Sequence, residues 1–153
     1  MTTCIIQARH ASTRLPGKAM LPIAGKPMLE RVVDRVLLAR KIAQVVVAVP
    51  DCEESGAIIE LCSRQHWLFY RHPGPEWDVL SRYYAAARQY DAGTIVRVTS
   101  DCPLIDPGVL NGLVTLFETG EYDYVANNLH PSFPHGLDAE VFPFAALSKA
   151  ENE

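Results

Sequence analysis

Several common signatures are missing from this sequence of 153 residues. Its four cysteines form no Cys-x-x-Cys pair and no spacing typical of a zinc site: Cys4, Cys52, Cys62 and Cys102. We therefore expect reduced thiols, as in a cytosolic protein. No charged-then-apolar leader opens the chain, and no apolar run approaches the ~20 residues that cross a membrane. These absences predict a cytoplasmic protein without a membrane partner.

An excess of positive charge is missing as well. The formal net charge is −4, whereas nonspecific nucleic-acid binding depends on many phosphate contacts from lysine and arginine. We therefore expect no nucleic-acid partner. The positive charges nevertheless cluster near the N-terminus, at Arg9, Arg14, Lys18 and Lys26. A local basic cluster in an acidic protein indicates a small anionic ligand.

The apolar pattern alternates between strand-like and helix-like segments. Short β-branched or alternating runs predict strands over residues 3–8, 44–49, 67–70, 94–99, 122–126 and 137–142. Helical spacing predicts helices over residues 27–37, 55–65, 78–90, 106–119 and 144–150. This alternation predicts one α/β domain over residues 1–153, with a mostly parallel sheet between helices on both faces, which makes three layers.

The segment QARHASTRLPGK, residues 7–18, follows the first predicted strand and is rich in cations. Triphosphates need arginine forks or lysine point charges, together with backbone N–H groups that can approach closely. The glycine and Lys-Ser/Thr order of a Walker A loop is absent, and so is the G-x-G-x-x-G dinucleotide fingerprint. The alternative is a solvated basic turn. The density of cations after a buried strand favours a triphosphate-binding loop.

A second polar stretch follows the predicted strand over residues 94–99. Since ligands of open α/β sheets sit outside the carboxyl ends of the strands, this stretch and the basic loop should lie on the same edge. The carboxylate of Asp101 could hold Mg²⁺, which prefers oxygen ligands, or it could be a plain turn residue. Asp106, followed by Pro107, is predicted to cap a helix, and Asp78 could cap the helix before it.

Two carboxylates alternate near the end of the chain. On a strand, Asp138 and Glu140 share one face. They could complete a metal site, hold sugar hydroxyls, or form the solvated side of an edge strand. His130 and His135 suggest a metal site with Asp138, although loop histidines beside prolines are typical of plain surface positions.

Taken together, these motifs resemble the cytidylyltransferase family that contains the spore-coat polysaccharide protein SpsF. The chain is more distantly similar to the CMP-sialate and CMP-Kdo synthetases. The residues that carry the resemblance are QARHASTRLPGK (7–18), GKPM (25–28), DVL (78–80) with RYY (82–84), DCPLIDP (101–107) and GLDAEVF (136–142). The resemblance spans essentially the whole chain, and the first and last motifs are its most specific parts.

The resemblance implies a nucleotide-diphospho-sugar transferase fold of the GT-A-like Rossmannoid type. It implies transfer of CMP from CTP to a sugar, with release of pyrophosphate and dependence on Mg²⁺. Position by position, it implies a phosphate-binding group of Arg9, Ser12, Arg14, Gly17 and Lys18, with the backbone near Ala8 facing the base. It further implies that Asp101 binds the metal and acts with Arg9 and Lys18 in catalysis, while Asp138 and Glu140 lie at the sugar side.

The chain also departs from this family. Residue 100 is Ser100 where relatives usually carry glycine, and the chain ends before the C-terminal part that relatives possess. In the sialate and Kdo synthetases that part helps to form the dimer and contributes a second metal-binding aspartate, so a homodimer and a monomer both stay open for this chain.

Two alternative functions also stay open. One is a non-catalytic nucleotide-binding module. The other is an enzyme of the same fold that uses a different nucleotide, such as a molybdopterin guanylyltransferase, although this loop lacks the double glycine typical of that family.

Overall fold

The computed structural model describes residues 1–9, 15–130 and 133–153. Their helices and strands, in chain order, are β1 (Thr2–Gln7), β2 (Pro22–Ile23), β3 (Lys26–Pro27), α1 (Met28–Val36), β4 (Gln44–Pro50), α2 (Gly56–Arg64), β5 (Leu68–His72), α3 (Val79–Gln89), β6 (Thr94–Thr99), α4 (Pro107–Phe117), β7 (Val125–Ala126), β8 (Glu140–Pro143) and α5 (Phe144–Glu151). Two short 3₁₀ turns cover Lys18–Met20 and Glu53–Ser55.

The main sheet has six strands in the order β5-β4-β1-β6-β8-β7. The first four of these run parallel to one another, and β8 then pairs antiparallel with both β6 and β7. Strand β4 is a nearly continuous apolar run, and both β1 and β4 are buried through most of their length, as expected for parallel strands covered on both faces. The predicted mostly parallel sheet is confirmed.

Helices cover both faces of this sheet, as predicted. One face packs against α1, α2 and α4, which contribute Leu29, Leu61 and Leu110 to the larger core. The other face packs against α3 and α5, where Tyr83 and Leu147 belong to a smaller core. The molecule therefore has three layers, and the carboxyl ends of β1, β4, β5 and β6 point to one common edge.

Two helices begin at the residues that the sequence predicts as caps. Asp106 accepts hydrogen bonds from the backbone N–H groups of Gly108 and Val109, at 2.8 and 3.0 Å, and Pro107 is the first residue of α4. Asp78 accepts a bond from the N–H of Ser81 at 3.1 Å, directly before α3. Each aspartate satisfies backbone donors that the helix itself leaves unpaired.

The two C-terminal strands are shorter than predicted. The predicted strand over residues 122–126 is reduced to β7, and the one over residues 137–142 begins only at Glu140. The side chain of Asn127 accounts for the late start of β8, since its amide donates to the carbonyl of Leu137 at 2.8 Å and accepts from the N–H of Ala139 at 2.9 Å. Asp138 therefore lies in an irregular segment, held by Asn127, that bends into β8.

The helices are short, with 11 residues in each of α3 and α4. Within residues 1–9, 15–130 and 133–153, no helix is long and apolar enough to cross a membrane. All four cysteines are free thiols, as predicted, and three of them are buried: Cys4, Cys62 and Cys102.

Candidate nucleotide and sugar site

The two polar stretches that follow β1 and β6 meet at one edge of the sheet. These strands are parallel neighbours, and their register places Gln7 opposite Thr99. The N–H of Ser100 donates to the carbonyl of Gln7 at 3.0 Å, which joins the ends of the two strands. The convergence that the sequence predicts is therefore observed, and Arg9 and Asp101 both leave the sheet at this edge.

Lys18 contacts Asp101 directly across this edge. Its Nζ donates to Oδ2 of Asp101 at 2.8 Å, although the residues lie 83 positions apart. Gly17 makes this geometry possible because its φ of 70° lies in the left-handed region that favours glycine. The chain turns there into the 3₁₀ segment that starts with Lys18. The structure thus brings together two of the three predicted catalytic side chains.

The carboxylate of Asp101 is held in its charged form. Burial alone raises its pKa, but hydrogen bonds from Lys18 and from the Thr99 hydroxyl outweigh this effect and leave the pKa below its usual value. The Thr99 Oγ1 donates to Oδ1 at 2.7 Å. With 46% of the side chain exposed, these oxygens remain within reach of a ligand or a cation.

Arg9 lies beside the same edge, with 52% of its side chain exposed. Its Nη1 is 3.7 Å from Oε1 of Glu76, which belongs to the loop between β5 and α3. Ala8 is fully buried, and its N–H donates to the carbonyl of Ala48 at 3.0 Å. The other two predicted phosphate-binding residues, Ser12 and Arg14, lie outside the described residues.

Lys26 belongs elsewhere, although it is part of the basic cluster seen in the sequence. Its Nζ contacts Glu30 at 3.0 Å and Asp34 at 2.8 Å, both on α1. The hydrogen bonds to Asp34 and Glu30 raise the pKa of Lys26. Strands β2 and β3 form a small antiparallel sheet, and this lysine therefore anchors that sheet to α1. It does not join the Lys18–Asp101 pair.

Two adjoining cavities of about 410 Å³ each open beside Asp101. They share Thr99, His135 and Asp138 in their walls. One is further lined by Asp101, and the other by Glu140. The two carboxylates predicted for the sugar side therefore line the same cavity, next to the cavity of the predicted metal ligand.

A partly buried ion pair lines the cavity on the Glu140 side. The antiparallel register sets Arg97 opposite Glu140, and the guanidinium pairs with the carboxylate. The guanidinium carbon of Arg97 also lies 5.7 Å from the ring centroid of Tyr83, and Asn128 donates to Glu140 at 3.4 Å. Sequence reasoning gave Arg97 no role, although a charged residue inside the apolar strand TIVRVT is a signal that could have identified it.

Asp138 is oriented by its own loop. Gly136 has a φ of 99°, again in the glycine region, and its N–H donates to Oδ2 of Asp138 at 3.3 Å. His135 Nδ1 lies 3.4 Å from the same oxygen, but its side chain is fully exposed at 101%. Within the part of the chain that the structure describes, no group of three or more His, Cys, Asp or Glu side chains could hold a metal ion.

The chain matches the model of a protein family described as cytidylyltransferase over residues 3–137. It is 39% identical over 115 residues to a 3-deoxy-manno-octulosonate cytidylyltransferase of Geobacter sulfurreducens, covering 71% of this chain and 42% of the relative. It is 33% identical over 143 residues to the spore coat polysaccharide biosynthesis protein SpsF of Bacillus subtilis, covering 90% and 57%. The chain thus spans about half the length of these relatives.

Solved structures show the same fold. A cytidylyltransferase from Leptospira borgpetersenii superposes with a TM-score of 0.92 at 32% identity, covering 99% of this chain and 63% of that one. A CMP:2-keto-3-deoxy-manno-octonic acid synthetase complexed with CTP superposes with a TM-score of 0.79 over 99% of this chain and 77% of that one. At 18% identity the second likeness concerns the fold alone. These likenesses confirm the α/β nucleotidyltransferase fold, and the family match over most of the chain places this protein in the cytidylyltransferase family.

Proposed function

We propose that this protein is a magnesium-dependent sugar cytidylyltransferase that transfers CMP from CTP to a sugar and releases pyrophosphate. The observation that carries the proposal is the contact between Lys18 and Asp101 at the carboxyl edge of β1 and β6, beside two cavities that Asp138 lines. Along this edge lie, one after another, cations that can bind phosphates, an oxygen ligand for a metal and polar groups that can bind a sugar. The names of its relatives make cytidine the expected base and surface-polysaccharide or glycoconjugate synthesis the expected setting.

The chemistry suits these residues. A hydroxyl oxygen of the sugar attacks the α-phosphorus in line and gives up its proton to water, a new P–O bond forms, and the bond to the β-phosphate breaks so that pyrophosphate leaves with its electron pair. Such a transfer needs positioning and charge neutralisation more than a protein nucleophile. In our proposal Arg9, Ser12, Arg14, Gly17 and Lys18 bind the triphosphate. Asp138 and Glu140 orient the sugar by accepting hydrogen bonds from its hydroxyl groups.

Asp101 fits the expected Mg²⁺ ion. It is a charged, half-exposed oxygen ligand, and its pKa lies below the usual value because the bonds from Lys18 and Thr99 outweigh the effect of burial. Mg²⁺ retains several waters and commonly uses one or two carboxylates together with phosphate oxygens, which suits Asp101 beside a bound triphosphate. When bound, the ion would supply positive charge to the phosphates. Lys18 would then exchange its contact with Asp101 for one with a phosphate.

The assay that tests this proposal follows pyrophosphate release by ³¹P NMR. The protein is incubated with CTP, or with GTP for comparison, together with Mg²⁺ and one acceptor at a time: 3-deoxy-manno-octulosonate, its 8-amino analogue, or a neutral sugar. We expect one acceptor to yield a CMP-sugar and pyrophosphate, and Asp101→Asn to abolish the signal. Tight CTP binding without turnover by any acceptor would favour the non-catalytic module, and turnover with GTP would move the activity to another branch of the fold.

A further inference from the structure

Arg82 is a charged side chain in the core. It lies on the buried face of α3 beside Tyr83 and has no exposed surface. Burial of an ion costs free energy unless its donors are paired, and here burial lowers the pKa of Arg82. Among the described residues, Nε and Nη1 of this guanidinium have no hydrogen-bond partner. A side chain this costly calls for a role beyond packing.

The contact that Arg82 does make leads to the candidate site. Its Nη2 donates to the backbone carbonyl of Glu76 at 3.0 Å. The side chain of the same Glu76 is the group that lies 3.7 Å from Arg9. One residue therefore links a buried guanidinium in α3 to an exposed guanidinium at the phosphate side.

The loop that contains Glu76 is fixed at both ends. At its C-terminal end Asp78 caps α3 and its N–H bonds the carbonyl of Pro75 at 3.1 Å. At its start Gly74 packs so closely on His72 that a Cβ there would lie 2.4 Å from the ring Nε2. Glu76 lies between these two ends, and the bond from Arg82 holds its backbone from below. The backbone of Glu76 is thus held in place, and its Oε1, which is buried and accepts no hydrogen bond among the described residues, lies beside Arg9.

We propose that Arg82 is a positioning residue: it holds the loop of Glu76 so that the Glu76 carboxylate orients Arg9 toward the phosphates of the nucleotide. The role of Arg9 in this inference rests on the proposed function. Arg82 itself touches no substrate. An oriented guanidinium loses less conformational freedom when it binds a phosphate, so the gain appears as affinity for the phosphate chain.

The test compares Arg82→Met, which keeps an unbranched stem but removes the donors, with Arg82→Lys, which keeps a charged N–H donor closer to the Glu76 carbonyl. Replacing a buried charge by an apolar side chain is often neutral or stabilising, so the melting temperature of Arg82→Met should not fall. Affinities for CTP with Mg²⁺, and for tripolyphosphate, which lacks a base, are measured by calorimetry. We expect affinity to fall about tenfold in Arg82→Met and less in Arg82→Lys. Arg88→Met, exposed on the same helix, is the matched control and should change neither quantity.

The decisive comparison repeats Arg82→Met in an Arg9→Ala background. If Arg82 acts through Arg9, its substitution there should change affinity less than twofold. An equal loss in both backgrounds, or no loss in a folded Arg82→Met protein, overturns the inference; should Arg82→Met fail to fold, Arg82→Lys carries the same comparison. If the loss of tripolyphosphate affinity in Arg82→Met depends on Arg9, but CTP is not preferred, the positioning role is upheld and the proposed function is overturned. If CTP is preferred but the loss does not depend on Arg9, the proposed function is upheld and the positioning role is overturned. Binding of neither ligand would overturn both.

Discussion

The contact between Lys18 and Asp101 lowers the pKa of the carboxyl group that is the expected metal ligand. Removing it in Lys18→Met should raise the pKa of the Asp101 carboxyl, because burial then acts with one hydrogen bond fewer to oppose it. The measurement is an NMR titration of the side-chain carboxyl ¹³C signal in both proteins. Lys26→Met removes a lysine that pairs with α1 and serves as the control, which should leave the pKa of Asp101 unchanged.

The same pair makes stability depend on pH in a defined direction. The pKa of Asp101 is lower in the folded protein than the ordinary aspartate value of about 3.9. Its contribution to the free energy of unfolding is therefore present above that value and is lost as the pH falls through the lowered folded pKa. Urea unfolding from pH 7 to pH 2 should show the stability difference between wild type and Lys18→Met shrinking in acid. A difference that grows in acid would contradict this account.

Asn127 joins β7 to the bend that carries Asp138. Asn127→Ala leaves the carbonyl of Leu137 and the N–H of Ala139 without their partner, so we expect a loss of about 1–3 kcal/mol in the free energy of unfolding. Urea denaturation measures this loss. Asn128→Ala, at the neighbouring exposed position, should cost less than about 0.5 kcal/mol. Equal losses in the two variants would show that the Asn127 amide does not hold the bend.

Single residues were predictable where their chemistry is local. Asp101 and Lys18 stand out in the sequence because each follows a predicted strand in a polar stretch, and the parallel sheet joins them. The partners of Glu140 were not predictable, since its pairing with Arg97 depends on an antiparallel register between β6 and β8. Glu76 and Arg82 were missed for a similar reason: their bond runs from a helix to a loop carbonyl, and no spacing in the sequence signals it.

At the scale of elements, the start of α4 can be tested directly. Asp106→Ala removes the acceptor for two backbone N–H groups and the carboxylate 3.7 Å from Arg35, so we expect a loss of about 0.5–2 kcal/mol in the free energy of unfolding. Asp106→Asn keeps an acceptor for the cap and should retain most of the stability. Urea unfolding of the two variants gives the comparison. A loss in Asp106→Asn as large as in Asp106→Ala would assign the effect to the ion pair instead of the cap.

The bounds of helices and strands were predictable where the backbone hydrogen bonds follow a regular pattern. Strand β6 has the predicted bounds of residues 94–99, and α3 and α4 begin directly after their predicted caps. The alternation of apolar residues did not predict the late start of β8. The side chain of Asn127 bonds the carbonyl of Leu137 and the N–H of Ala139, two groups that alternation alone assigns to a strand ladder. The sequence pattern was also wrong for Pro27, which was expected in the first turn of α1 but lies in β3.

At the scale of the whole molecule, the topology explains why the motifs meet. Parallel pairing of β1 and β6 brings residues from opposite halves of the chain to one edge. The antiparallel strand β8 then returns along β6, so that Glu140 lies beside Arg97. The segment before β8 places Asp138 in the wall of the cavity that Asp101 also lines. Fold class was predictable from alternation alone. The position of β8 was not, since order within the sheet depends on long-range packing.

The central claim, a CTP site built on Lys18 and Asp101, is tested most directly by thermal-shift titration with CTP, GTP, UTP and ATP, each with and without Mg²⁺. A ligand at about a hundred times its dissociation constant stabilises by ~2.7 kcal/mol, which corresponds to a shift of several degrees in a domain of this size. We expect the largest shift with CTP and Mg²⁺, and we expect Asp101→Asn to remove the dependence on Mg²⁺. No shift with any nucleotide, or the same Mg²⁺-dependent shift in Asp101→Asn, would contradict the account.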